Sequence, residues 1–134
     1  MFVAKNKVRI HDTDLAGLLY FPRIYRFAND ALEDFLIASE INLEHFFHKE
    51  NTLFVVVHSE ADYYNPLRVG DHVNVHVIVE NIGNTSFKLL YQIYKEDKTH
   101  MATVRIVYVY IDRKAHKKIS VPAKVKQSLE KHLK

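Results

Sequence analysis

The sequence predicts an α+β fold in which one long helix packs on a curled, mostly antiparallel sheet. Apolar residues recur at helical spacing in one long segment, between Ile24 and Leu36. From Leu53 onward, short runs of alternating apolar residues are separated by turn-forming residues, as in antiparallel strands. With 134 residues, the chain is long enough for one domain with a full core and too short for two, so we expect a single domain over residues 1–134.

The first element is a predicted strand over Phe2–Ile10, which ends at an acidic turn. Pro22 fits the first position of the helix that follows, because its missing N–H has no partner to lose there. The apolar stripe of that helix consists of Ile24, Phe27, Ala28, Ala31, Leu32, Phe35 and Leu36. A short helical turn is predicted over Asn42–Lys49.

Four strands joined by hairpin turns are predicted next. Their ranges are Leu53–Tyr64, Val73–Val79, Phe87–Lys95 and Met101–Ile111. In the second of these, valines alternate with mostly polar residues, which is typical of a half-buried strand. A final basic helix is expected within residues 121–134.

The composition excludes several kinds of protein and site. The chain has no cysteine, which excludes disulfides, thiol catalysis and thiolate metal sites. No signal peptide is recognisable at Met1–Arg9, and no apolar run approaches the roughly 20 residues that cross a bilayer, so a cytoplasmic protein without a membrane partner is expected. His72 and His76 share a strand face roughly 13 Å apart, too far to bind one ion, and we expect no metal site.

Positive charge concentrates toward the C-terminal end. The net charge is +3, and residues 113–134 contain eight Lys and Arg against one acid. Such a segment is either a solvated surface or a binding surface for phosphates, an acidic carrier protein or nucleic acid. Positive charge is the only feature that supports nucleic-acid binding, so no nucleic-acid partner is predicted.

The last predicted strand carries large apolar side chains on both faces. A strand of this kind needs cover on two sides, and one helix can cover only one of them. The simplest source of the missing cover is a second copy of the chain. We therefore predict an obligate homo-oligomer.

The acidic turn before the helix is the candidate active site. It places Asp12 and Asp14 beside the free amides of the first helical turn, which can stabilise a negatively charged oxygen. By spacing alone, both acids are better explained as turn or capping residues. The spacing therefore does not decide whether either acid takes part in a reaction.

The segment Asp12–Phe21 (DTDLAGLLYF), followed by Tyr25 in the helix, resembles the signature of the 4-hydroxybenzoyl-CoA thioesterase family. Ala61–Asp71 (ADYYNPLRVGD) is similar to the second strand of that family and the turn after it. The resemblance implies a hotdog fold, in which a five-stranded antiparallel sheet wraps around the long helix. It also implies an acyl-CoA thioesterase that assembles as dimers, commonly as dimers of dimers, with active sites at the dimer interface.

The resemblance implies a role for each residue of the turn. The second acid of the family motif, here Asp14, does the chemistry, either as a nucleophile or by activating water. The backbone amide of Phe21 would polarise the thioester carbonyl. Gly17 would permit close backbone approach and an unusual φ, and Asp12 would support the loop. No cofactor is implied, because the departing thiolate is already a good leaving group.

The substrate is less closely defined. Part of the family has His where this chain has Phe21, and the pair Tyr20-Phe21 instead resembles members that act on aromatic acyl groups, including 1,4-dihydroxy-2-naphthoyl-CoA thioesterases. An aromatic or short-chain acyl-CoA is therefore expected. Candidates for lining the site or binding the CoA phosphates are Tyr20, Tyr25, His58, Ser59, Lys88 and Arg113. Two alternatives remain: an acyl-carrier-protein thioesterase that docks through the basic segment, and a non-catalytic acyl-CoA-binding module.

Overall fold

A computed structural model describes residues 1–134 and shows a five-stranded antiparallel sheet packed on a long helix. The strands are β1 (Phe2–Lys7), β2 (Thr52–Tyr63), β3 (His72–Ile82), β4 (Ser86–Lys95) and β5 (His100–Asp112). The helices are α1 (Ile24–Ala38) and α2 (Ala123–Glu130). Short helical turns occupy Ile10–Asp12, Phe21–Arg23 and His45–Lys49. The predicted hotdog fold, with one helix against a five-stranded sheet, is confirmed.

The helix α1 buries the predicted apolar stripe against the sheet. Its buried residues are Ile24, Phe27, Ala28, Ala31, Phe35 and Leu36. The facing residues of β3 are Val73, Val75, Val77 and Val79, each at most 2% exposed. The apolar residues of α1, which recur with a period of 3.6, and those of β3, which recur with a period of 2, therefore pack in one core, as the sequence predicts.

The strand β1 ends three residues earlier than predicted, at Lys7. The backbone N–H of Arg9 donates to Oδ2 of Asp12 at 2.9 Å, and residues Ile10–Asp12 form a 3₁₀ turn. A side-chain acceptor thus replaces the sheet partner that a longer strand would need. Pro22 likewise lies in the 3₁₀ turn Phe21–Arg23, and α1 begins only after it.

The position of β2 differs from the predicted run of hairpins. The sheet order is β1-β3-β4-β5-β2, so β2 pairs with β5 at one edge and does not touch β3. The connection over residues 64–71 crosses from one side of the sheet to the other and contains Pro66. Alternation within a strand does not reveal its neighbour, because any antiparallel partner satisfies the same pattern.

The two edge strands differ in length and in side chains. The strand β1 has six residues and includes Lys5 and Lys7. The strand β2 has 12 residues, with a bulge between Val56 and His58. Val56 and Val57 are 56% and 57% exposed, so an apolar, unpaired strand edge faces solvent in the single chain.

The last helix is shorter than the predicted 121–134. It ends at Glu130, and the residues after it turn back to the sheet. The N–H of Val79 donates to the carbonyl of His132 at 3.0 Å, and the N–H of Lys134 donates to the carbonyl of Val79 at 2.8 Å. Through these bonds residues 132–134 pair with β3, just beyond the part of β3 that pairs with β1. The helix α2 therefore ends before these residues. Neither helix combines the length and the hydrophobicity required to cross a membrane.

Candidate active site

The acidic loop, defined as residues 12–21, is fastened to the connection between β2 and β3. The N–H of Leu19 donates to the carbonyl of Leu67 at 2.8 Å, and the N–H of Val69 donates to the carbonyl of Gly17 at 3.0 Å. A further bridge joins Thr13 and Leu19 within the loop. The two segments that carry the family resemblance are therefore adjacent in space, although 39 residues separate them.

Asp14 is exposed at the tip of this loop, with one oxygen engaged and one free. Its Oδ1 accepts the N–H of Ala16 at 2.9 Å, and its own N–H donates to the carbonyl of Leu18 at 2.9 Å. No side chain or backbone group of the chain hydrogen-bonds Oδ2. The turn-capping role and a chemical role are thus compatible, because each uses a different oxygen of one carboxylate.

Gly17 closes the turn with a φ of +74°. That conformation is costly for residues with a Cβ, so the expected unusual φ is present. The close backbone approach expected at this glycine is absent, because a Cβ built there would have no atom within 4 Å. The glycine is therefore required for the turn itself and not for the clearance of a neighbouring group.

Phe21 begins the 3₁₀ turn that leads into α1, and its backbone N–H has no partner in the chain. The N–H of Arg23 donates to the carbonyl of Tyr20 at 2.8 Å, which closes the turn around it. Pro22 has no N–H, so the Phe21 amide is a lone free donor at this point of the helix entry. Such a donor can stabilise the negative charge that develops on an oxygen, by donating a hydrogen bond to it.

Asp14 and Phe21 line the same cavity, whose volume is about 340 Å³. Eight of its 11 lining residues are hydrophobic, and they include Leu18, Tyr63 and Met101. The loop, the end of β2 and the start of β5 thus border a mainly apolar space that Asp14 and Phe21 both line. An apolar wall strengthens the interaction of both groups with a polar reaction centre.

Asp12 lies completely buried under the loop. Arg26 binds both carboxylate oxygens, with Nε 2.7 Å from Oδ1 and Nη2 on Oδ2, and Nη2 of Arg23 lies 3.1 Å from Oδ1. Burial by itself would raise the pKa of Asp12, but the hydrogen bonds from Arg26, the Arg9 backbone and Arg23 outweigh it and lower the pKa from 3.8 to about 2. Asp12 is thus an ionised support for the loop at neutral pH.

The two arginines were missed by the sequence reasoning, although the sequence contains a signal for them. Arg23 and Arg26 lie three residues apart at the start of α1, where the helix dipole disfavours positive charge. Basic residues at a helix N-terminus therefore suggest a nearby acid. Asp12 is the acid that compensates for them here.

Two of the aromatic candidates lie near the cavity without lining it. Tyr20 is about half exposed and packs edge-on against Phe21, with ring centroids 5.6 Å apart. Tyr25 is partly buried on α1, and after partial burial its proximity is the second cause that raises the pKa of Tyr63.

The remaining four candidates are not brought to the cavity by the single chain. His58 and Ser59 lie in the exposed middle of β2 on opposite faces, paired with Val107 and Ile106. Nζ of Lys88 lies 3.5 Å from Oε1 of Glu80.

Arg113 is engaged elsewhere in the fold. Its Nε donates to the carbonyl of Glu50 at 2.9 Å, and its Nη2 donates to that of Phe46 at 3.4 Å. The side chain therefore holds the turn His45–Lys49 against the end of β5.

No group of three or more His, Asp or Glu side chains is arranged to hold a metal ion.

Known proteins resemble this chain over almost its whole length. A profile of the thioesterase-like superfamily matches residues 8–129. The 1,4-dihydroxy-2-naphthoyl-CoA hydrolase of Nostoc punctiforme is 33% identical over 129 residues, which cover 96% of this chain and 86% of the relative.

Solved structures share the fold at lower identity. A 1,4-dihydroxy-2-naphthoyl-CoA thioesterase from Synechocystis superposes with a TM-score of 0.90 at 23% identity, over 96% of this chain and 94% of the other. A Staphylococcus aureus protein solved in complex with CoA gives a TM-score of 0.88 at 15% identity, over 99% of this chain and 85% of the other. With a profile match over nearly its whole length and a close relative of similar length, this chain belongs to the thioesterase-like superfamily.

Proposed function

We propose that this protein hydrolyses the thioester of an acyl-CoA to a free acid and CoA. The observation that carries the proposal is the pairing, in one apolar cavity, of the Asp14 carboxylate with the unpartnered N–H of Phe21. The relatives support the reaction class, since the Nostoc punctiforme protein is a hydrolase of an aromatic acyl-CoA.

In the proposed reaction, the thioester carbonyl lies between these two groups. Oδ2 of Asp14 either attacks the carbonyl carbon, forming an anhydride that water then cleaves, or takes a proton from the water that attacks. In both routes negative charge builds on the carbonyl oxygen, where the Phe21 N–H stabilises it without having to reorient. The carbon–sulfur bond then breaks and CoA leaves as a thiolate, so no cofactor takes part.

The acyl group that best fits the cavity is aromatic. Tyr63, Leu67 and Met101 supply flat or apolar surface, and Asp14 is the only charged residue in the lining of the cavity. A small aromatic ring is buried favourably in such surroundings, whereas a charged acyl chain would lose its hydration without compensation. The CoA moiety would extend outside this cavity, which has no basic side chain in its lining.

The test is a panel assay of CoA release with benzoyl-CoA, 1,4-dihydroxy-2-naphthoyl-CoA and short aliphatic acyl-CoA esters. We expect the highest kcat/KM with the aromatic esters. The same acyl group on an acyl carrier protein tests the alternative carrier, for which the lysines of residues 113–134 would be the docking surface. Tight binding of all the esters without turnover would instead identify a non-catalytic acyl-CoA-binding module.

The assembly that we propose uses the exposed edge of β2. The outer face of β5, which suggested a partner from the sequence, is largely covered within the chain: Met101, Thr103 and Val109 are at most 7% exposed. The edge of β2 is an uncovered apolar surface. Antiparallel pairing of two β2 strands would give a dimer with one continuous sheet, and two such dimers would form the expected tetramer.

We expect Val57→Lys to shift the protein toward the monomer, because a lysine on a strand edge opposes pairing with a second strand. Sedimentation velocity at micromolar concentration measures the change. The matched control is Val3→Lys, which places the same charge at an exposed valine of β1, the opposite edge strand. A monomeric wild-type protein, or a Val57→Lys variant that assembles normally, would argue against pairing through β2.

A further inference from the structure

The hydroxyl of Tyr63 makes a hydrogen bond that links β2 to the entrance of α1. It donates to the carbonyl oxygen of Phe21 at 2.6 Å, across 42 residues of sequence. This distance is typical of a well-formed O–H···O bond. No other side-chain hydrogen bond joins β2 to the turn Phe21–Arg23, so this contact sets the distance between the turn and the edge of the sheet.

Both ends of this bond are placed where precision matters. Tyr63 is held on the sheet by its pairing with Ala102, and the next residue, Tyr64, donates its N–H to the carbonyl of Met101 at 2.9 Å. Phe21 carries the free N–H proposed to bind the carbonyl oxygen of the substrate. The tyrosine thus connects a rigid strand to the residue whose amide must not move during the reaction.

The proton of Tyr63 stays on its oxygen at neutral pH. Partial burial, and then the neighbouring Tyr25, raise the pKa of the Tyr63 hydroxyl above its usual value. The group is therefore a neutral donor to Phe21. The Phe21 carbonyl also accepts the N–H of Ile24, so the two bonds hold it from the sheet and from the helix.

We propose that Tyr63 is a positioning residue of the thioesterase, which acts by fixing the turn Phe21–Arg23 through the Phe21 carbonyl, so that the Phe21 N–H, in the preceding peptide unit, meets the carbonyl oxygen of the substrate. The inference rests on the proposed function, because it assigns the Phe21 amide to the reaction. Tyr63 itself transfers no proton and forms no bond to the substrate. Its removal should therefore change the chemical step more than substrate binding.

The variant Tyr63→Phe tests this proposal, because it deletes the hydroxyl and keeps the ring. With benzoyl-CoA and 1,4-dihydroxy-2-naphthoyl-CoA we expect kcat to fall about tenfold, while KM changes less than about twofold. The matched control is Tyr94→Phe, which removes a hydroxyl from β4 that bonds only Gln92 at 3.4 Å, on a residue that does not line the cavity. This control should retain the wild-type kcat.

A second measurement keeps the test independent of turnover. Hydrogen exchange of the Arg23 and Ile24 amides, whose bonds close the 3₁₀ turn, should be about tenfold faster in Tyr63→Phe than in the wild type or Tyr94→Phe. Unchanged exchange, or an unchanged kcat in a working enzyme, would overturn the role of Tyr63. If the wild type cleaves no ester of the panel, the proposed function fails instead, and only the exchange rates then decide whether Tyr63 holds the turn.

Discussion

Replacing Asp14 by Asn is expected to lower kcat about a thousandfold or more, while the fold and the assembly stay intact. The asparagine side chain retains an oxygen that can accept the Ala16 N–H, so the turn keeps its cap. It can neither attack a thioester nor take a proton from water. Release of free CoA, followed with benzoyl-CoA and 1,4-dihydroxy-2-naphthoyl-CoA, measures the loss, and circular dichroism and sedimentation report the fold and the assembly.

A matched control comes from another turn carboxylate. Asp97 accepts the N–H of Thr99 through Oδ1 at 3.0 Å, in the turn between β4 and β5, and does not line the cavity, so Asp97→Asn should retain the wild-type kcat. Asp14→Ala removes both the cap and the chemical group, and it should be as inactive as Asp14→Asn. Near-normal turnover in either Asp14 variant would show that another group performs the reaction.

The second large effect concerns stability. We expect Asp12→Ala to lower the free energy of unfolding by about 3–5 kcal/mol, because it leaves the largely buried Arg26 guanidinium without its main partner. It also removes the acceptor of the Arg9 N–H. Urea denaturation measures the change. The control is Asp30→Ala, which removes a half-exposed carboxylate 2.7 Å from the same guanidinium and should cost less than about 1 kcal/mol.

The dependence on pH gives an independent check of Asp12. Its pKa lies at about 2 in the folded protein and near 3.8 when unperturbed, so folding favours the ionised form. The resulting stabilisation is complete above about pH 4 and is lost as the pH falls toward 2. The difference in unfolding free energy between wild type and Asp12→Ala should therefore be constant above pH 4 and shrink below it. A difference that stays constant down to pH 2 would contradict the buried ion cluster.

The long helix and the five strands could be predicted, because their residue patterns are the ones that packing in a common core requires. Ile24 to Leu36 repeat at helical spacing, and the valines of β3 alternate, since each set faces the same interior. The order of strands was not accessible in this way. Whether β2 lies beside β3 or β5 depends on where the connection over residues 64–71 is anchored, and that anchor is a set of backbone bonds to the acidic loop.

The candidate site was only partly accessible from the sequence. The spacing of Asp12 and Asp14 describes a turn equally well with or without chemistry, and the family resemblance was needed to assign them different roles. Tyr63 acts through a partner 42 residues away, so no local pattern could reveal it. Arg26 pairs with an acid 14 residues away, and only its place at the start of a helix indicates that such an acid is near. Side chains that the resemblance suggested on β2, His58 and Ser59, lie on a strand edge whose neighbours in an assembly do not belong to the same chain.

The unequal edges of the sheet determine how many copies of the chain can join it. A sheet with two receptive edges can add copies without end and grow into a fibre. Here β1 is short and carries Lys5 and Lys7, whereas β2 is long and bears exposed valines, so only one edge is receptive. When this edge pairs with the same edge of a second copy, no receptive edge remains. We therefore expect concentrated protein to form closed particles of fixed size and not filaments.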